Sequence, residues 1–157
     1  MKTYIINPDT NQGVTIEAWA KEADPKRAQF VALQLDGGGF LIISKKPSET
    51  TMNAPDAQKY AENTIIMGAP GRCPKRKEAI DIYDARFLAR LDEAIDLIGG
   101  RTISYRYWTC EKDADPDYAY FFWFAFGHLG CAAYGSLYAA CLALPLLLLD
   151  NLSLAEA

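Results

Sequence analysis

Hydrophobic and polar positions divide the chain into short alternating segments, two helical stretches and a long uncharged run. Lys2 to Ile6 begins with alternation, and Asn7-Pro8-Asp9 with Asn11-Gln12-Gly13 supplies turn chemistry before a second β-prone segment, Val14 to Trp19. The two predict a hairpin. Asp24-Pro25-Lys26-Arg27 breaks the pattern, after which Phe30 to Leu35 and Phe40 to Ile43 read as strands joined by Asp36-Gly37-Gly38-Gly39. That glycine run lacks the lysine and the following helix of a phosphate loop, so it predicts a hairpin turn.

Residues 44–53 read as a polar connection. Asn53 is a candidate helix cap and Pro55 an early helical position, and Ala54, Ala57, Tyr60 and Ala61 recur at helical spacing, predicting a helix to about Asn63. Gly68-Ala69-Pro70-Gly71 makes a sharp turn. From Lys75 onward, Ile80, Tyr83, Phe87, Leu91, Ile95 and Ile98 form an apolar face over two consecutive helices, with a break near Ala89-Arg90 and an end at Gly99-Gly100. Ile103 to Trp108 is strand-like and Thr109-Cys110-Glu111 ends it, while Tyr118 to Phe126 has the aromatic content of a central strand and Gly127 starts a turn. Strands, then helices, then strands again predict an α+β domain spanning 1–157, with residues 2–6 beside the final strand.

Tyr118 to Leu149 contains no Lys, Arg, Asp, Glu, Asn or Gln, and the last positive charge of the chain is Lys112. Three readings of this run stand side by side. Leu129 to Leu149 is long enough for a C-terminal apolar membrane helix, and Gly135, Ala139 and Ala143 have small-xxx-small spacing; Pro145 and the missing basic flank oppose it. A buried strand pair suits Tyr120 to Phe126. Residues 130–136, rich in small side chains, read as an irregular loop whose Tyr134, Leu137 and Tyr138 form an apolar, aromatic surface patch.

Composition narrows the chemistry. A net charge of -4 in 157 residues argues against nucleic acid as partner, and the basic stretch Arg72 to Lys77 reads as a solvated approach to a helix. The start, MKTYIINPDT, lacks the apolar segment of a signal peptide, leaving a cytoplasmic or virion-associated setting open. Cys73, Cys110, Cys131 and Cys141 include no close-spaced pair, so no zinc site is expected. Glu111, Asp113, Asp115 and Asp117 lack the spacing of a calcium loop. His128, the one histidine, has no acidic partner nearby in sequence, and the carboxylates Asp81, Asp84, Asp92 and Asp96 fall where a solvated helix surface is expected. No metal, cofactor or catalytic residue is expected.

Several separated segments together resemble one family. They are Met52 to Ala61, Gly71 to Glu78, Leu97 to Gly100, Tyr107 to Glu111, and Ala119-Tyr120 with Phe124, Phe126 and Gly127. Over roughly residues 50–146 they are similar to the C-type-lectin-fold domains of the DUF1566-like group, in particular the variable proteins diversified by retroelements in phages and bacteria. Arg72, Pro74 and Glu78 match one motif of the family and Tyr107, Trp108 and Thr109 another, whereas Leu144 stands where the closing strand has an arginine. The resemblance implies a C-type lectin-like fold with a mixed or antiparallel sheet, two main helical segments and a variable region over 118–141. It also implies codon-level rewriting that never yields Trp, Lys, Glu, Gln or Met, in keeping with Phe124 to Leu149, where only Phe, Ala, Gly, His, Leu, Cys, Tyr, Ser and Pro occur.

By that resemblance the ligand-binding residues are Tyr118, Phe122, Phe124, Phe126, His128, Tyr134, Ser136, Leu137 and Tyr138, with Gly130, Cys131 and Cys141 as further variable positions. Strand alternation over 118–126 turns some of these inward. The expected role is non-enzymatic recognition of a protein or cell-surface ligand. The alternatives are a membrane-associated structural protein and a cysteine- or metal-dependent oxidase of related fold; the oligomeric state stays open.

Overall fold

The computed structural model describes residues 1–112, 118–133 and 141–156; Tyr134, Ser136, Leu137 and Tyr138, and the acidic Asp113, Asp115 and Asp117, lie outside the described residues. In chain order the elements are β1 (Lys2–Ile6), β2 (Gly13–Thr15), α1 (Ile16–Trp19), a 3-10 turn (Pro25–Arg27), β3 (Phe30–Gln34), β4 (Phe40–Ser44), α2 (Ala54–Asn63), β5 (Ile65–Ile66), β6 (Ala69–Pro70), α3 (Arg76–Leu88), α4 (Leu91–Leu97), β7 (Arg106–Lys112), β8 (Tyr118–Trp123), β9 (His128–Ala133) and β10 (Leu146–Leu149). They form an α+β fold with a five-stranded sheet ordered β10-β4-β3-β1-β2, a three-stranded sheet β7-β8-β9 and the small pair β5-β6. Neighbouring strands are antiparallel throughout these sheets.

Local chemistry explains most boundaries. The β3–β4 hairpin closes through Gly38 and Gly39 at φ of 99° and 85°, a region open to glycine at little cost. The Asn53 side chain accepts a 2.9 Å bond from the Asp56 N–H and caps α2. Arg90 at φ 59° separates α3 from α4, at the expected break. The strand expected over Val14 to Trp19 instead stops at Thr15, whose hydroxyl accepts from the Ala18 N–H at 3.2 Å and starts the one-turn α1. That turn carries Trp19 into the core.

The five-stranded sheet is apolar on both faces because both are covered. Ile5, Val31, Leu33, Leu41 and Ile43 meet α3 and α4, while Tyr4, Ile6, Ala32, Phe40 and Ile42 meet Ile66 and the leucines of the C-terminal segment. A third cluster joins α2, through Ala54, Ala57 and Ala61, to Trp108 and Ala119 of the smaller sheet.

The uncharged run is not a helix over 129–149: residues 128–133 and 146–149 are strands, and among the described residues no helix is long and apolar enough to cross a membrane. Its apolar character between 141 and 146 follows from burial, since Cys141, Leu142, Ala143, Leu144 and Leu146 are all interior. β10 pairs with β4 rather than with residues 2–6. The chain then reaches the opposite edge, where the Gly13 N–H donates to Ser153 O and the Ala155 N–H to Gly13 O, at 2.8 and 2.9 Å.

Ahead of β10, backbone bonds run to both sheets. Met52 N–H donates to Cys141 O, Ser48 N–H to Ala143 O and Trp108 N–H to Leu142 O, at 2.9, 2.9 and 3.1 Å. The Ser48 hydroxyl accepts from the buried Ala143 N–H at 2.8 Å and donates to Thr50 O at 3.0 Å. Ser48→Ala leaves that amide without its acceptor, so the expected loss of stability is about 1–3 kcal/mol, read from urea unfolding midpoints at constant m.

Candidate recognition surface

Opposed residues of an antiparallel pair project on the same side of the sheet. Tyr120 opposes Cys131, and Phe122 opposes Leu129. With Tyr118 they form the side of the β8–β9 hairpin that faces α3. On the other side Phe121 opposes Gly130, Ala119 opposes Ala132 and Trp123 opposes His128; Phe121, Ala119 and Ala132 belong to the cluster around Trp108.

α3 supplies the second half of the surface. Its buried residues are Glu78, Ala79, Ile82 and Ala85, not the expected stripe Ile80, Tyr83 and Phe87. Alanines let a helix backbone approach a sheet closely, so the small stripe faces inward. The bulky stripe is displaced to the flank beside the hairpin. There the Arg76 guanidinium lies 4.3 Å from the Tyr120 ring centroid, and Ile80 and Leu129 line one shallow concavity of about 390 Å³ with Arg76, Lys77 and Glu111. Tyr83 makes an edge contact with Phe87 at 5.3 Å and packs on Phe122 at 5.8 Å.

The result is an apolar band centred on Ile80 and Leu129, which share the concavity, with further solvent-open apolar side chains at Phe87 of α3, Tyr118 of β8 and Phe126 of the turn. Exposure is 43% at Tyr118, 46% at Ile80, 68% at Phe87, 61% at Phe126 and 43% at Leu129. Ile80 and Phe87 escape sequence reasoning because their helical spacing reads as core. The available signal is that α3 carries two apolar stripes and can bury one.

The framework beneath the band is fixed by charge. Both Nη atoms of Arg72 donate to the Glu78 carboxylate at 2.6 and 2.8 Å, and the Lys75 N–H adds a third bond at 2.8 Å. Burial pushes the Glu78 carboxyl upward, but Arg72 and the Lys75 amide outweigh it and hold it below its usual range. At the next residue, Arg76 donates from its backbone and Nε to Glu111 at 2.7 and 3.0 Å. The Arg76 amide bond, with the guanidinium behind it, lowers the Glu111 carboxyl, which is committed to this contact. Arg86 donates to Phe124 O at 3.1 Å and so ties α3 to the 124–127 turn.

The structure divides the sequence-derived site residues. Tyr118, Phe126 and His128 are exposed, with Phe126 edge-on to Trp123 at 4.7 Å. Phe122 and Phe124 are interior, at 3% and 0% exposure, because their strand side meets Tyr83 and Tyr107. Cys131 is exposed and Cys141 buried. Residues 130–133, expected as an irregular loop, continue β9: Gly130 is small because a Cβ there would meet the Phe121 ring at 2.6 Å. The aromatic strand in turn ends at Trp123, whose carbonyl accepts from Gly127 at 2.9 Å, whereas β7 runs on through Thr109-Cys110-Glu111 to Lys112.

Cysteine chemistry finds an unfavourable setting. Burial pushes the Cys73 and Cys141 thiols up to about 12 and raises that of Cys110, so at these three positions a nucleophilic thiolate is scarce at neutral pH. Among the described residues no group of three or more His, Cys, Asp or Glu is arranged to hold a metal ion. Comparison of the chain with models of protein families and with curated proteins finds no match.

Two variants probe the framework. Glu78→Gln is expected to lose about 1.5–3 kcal/mol at neutral pH. Because the folded-state carboxyl lies below its unfolded value of about 4.3, the native contribution is complete above that pH and lost as pH falls through the folded value, so urea melts of the two proteins should converge in acid. Gly127 sits at φ 68° with the Tyr83 ring 2.8 Å from an added Cβ. Gly127→Ala should cost about 1–2 kcal/mol from the backbone alone and alter the tyrosine near-UV dichroism.

Proposed function

We propose that the chain is a non-enzymatic recognition domain of C-type lectin-like fold. It binds a protein or cell-surface ligand through the outward band of the β8–β9 hairpin and α3. The observation that carries the reading is that exposed Leu129 of β9 and Ile80 of α3 line one concavity, with Phe87 of α3, Tyr118 of β8 and Phe126 of the β8–β9 turn also exposed, over a framework held by buried rings and by the Arg72–Glu78 pair. Exposed apolar groups gathered in this way mark interaction surfaces, and aromatic rings give contact area at low entropy cost.

The fold assignment draws support from topology. β4 and β10 pair antiparallel at the two ends of the segment, α2 and α3 lie between them, and the β7-β8-β9 sheet is inserted before the closing strand. Arg72, Glu78, Tyr107 and Trp108, on which the family resemblance rests, all serve this frame: Trp108 Nε1 donates to Met52 O at 2.7 Å, and the Arg72 and Leu146 backbones exchange two bonds of 2.9 Å. In this reading Tyr134, Ser136, Leu137 and Tyr138, which follow β9 directly in sequence, add further contacts. In this reading retroelement-driven diversification accounts for the composition of the part of the run ahead of the 141–149 segment.

Immobilised protein challenged with intact bacterial cells tests the proposal. The double variant Phe126→Ser/Leu129→Glu should retain at least about tenfold fewer cells than the parent, consistent with loss of central apolar contacts. Lys21→Glu, an exposed change after α1, should retain the parental number. Equal retention by all three proteins sinks the assignment of the surface.

A further inference from the structure

A second concavity lies away from the band, where the chain leaves β4. Its volume is about 570 Å³, within the usual range for small-molecule sites. One wall is the 45–52 segment, held along residues 141–145 by the Ser48 and Met52 backbone bonds. Another is Tyr60 of α2, whose hydroxyl donates to Lys46 O at 3.3 Å. The third is the chain after α4, where the Arg101 N–H donates to Lys45 O at 3.2 Å and Arg101 Nη1 to Ser48 O at 3.3 Å. Hydrogen bonds therefore fix all three walls before any ligand arrives.

The charge of this groove opposes that of the chain. The whole protein carries -4, yet the lining holds Lys45, Lys46 and Arg101 against the single acid Glu49. Lys45 is buried and spends its ammonium on Lys26 O and Ile98 O, at 2.6 and 2.8 Å, which caps α4. Its pKa is lowered first by burial and then by Lys46, with Lys26 acting in the same direction. Positive charge is thus crowded here. Lys46 and Arg101 are exposed, and among the described residues neither forms a salt bridge. Met52 and the ring of Tyr60 supply apolar lining.

We propose that this groove binds a small organic anion, its carboxylate or phosphate held by Lys46 and Arg101 and its apolar body lying on Met52 and Tyr60. An ammonium and a planar guanidinium lining one groove suit either acid group, Lys46 as a point charge and Arg101 through its remaining donors. The site is independent of the recognition band, so one can fail without the other.

The test uses three probes that share a ring and differ in charge: phenyl phosphate, benzoate and benzyl alcohol, each titrated to about 10 mM into isotope-labelled full-length protein. The expected result is saturable amide shifts at Lys46, Gly99 and Arg101 with at least one anion and none with the alcohol. Which anion binds identifies the acid group. Lys46→Glu, a change at an exposed position, should weaken that binding at least about tenfold, and salt should weaken it as well. Phe126→Ser/Leu129→Glu should leave it unchanged. Absence of saturable shifts with both anions, equal shifts with the alcohol, or unaltered affinity in Lys46→Glu would each overturn the proposal.

Discussion

The fold depends on the hydrogen-bonding of one uncharged segment, residues 141–149. Every buried peptide group there needs a partner, and none can come from side chains made of carbon and sulfur. The partners come from four directions: the 44–52 segment, β7, the Arg72 backbone and β4. The segment is therefore where the five-stranded sheet and the β7-β8-β9 sheet become one structure. Its lack of charge is a consequence of that position, since a buried ion among these bonds would have no counter-ion.

From that joint outward, helix packing decides what is left on the surface. α3 lies on the sheet through Ala79, Ile82 and Ala85, and Arg72 and Glu78 hold its first turn. A larger inward stripe would move the helix away and open the cluster containing Tyr107 and Phe124. With close approach secured by small residues, Ile80 and Phe87 are turned toward the hairpin, where Leu129 and Gly127 meet them or their neighbour Tyr83. Core formation and surface formation are two sides of the same helix.

Much of this was legible residue by residue. Asn53 and Pro55 announced α2, the glycines at 37–39 announced a hairpin, and Ala89-Arg90 announced the break between helices, because each is a local conformational rule. The α+β order of elements followed from the same signals. Long-range matters were not legible. Nothing local in Gly130 to Ala133 distinguishes a loop from a strand; the Phe121 ring, nine residues before Gly130, imposes the small side chain. Likewise the spacing of Ile80, Tyr83 and Phe87 is that of a core stripe, and only the competing alanines show which stripe is buried. Of the candidate site, Tyr118, Phe126 and His128 are exposed, while Phe122 and Phe124, read alike as ligand-binding, are buried by Tyr83 of α3 and Tyr107 of β7, long-range neighbours that strand alternation does not reveal.

β9 has two unlike rows. Gly130 lies under an aromatic ring and Ala132 against the Trp108 cluster, so both are fixed in size by what they touch. Leu129 and Cys131, on the alternate row, are exposed to solvent. A lineage of such chains could therefore change its outward chemistry at every second position of one strand while the interior stayed the same. Novelty and conservation would be separated by a single residue step, with the pleat of the strand as the divider.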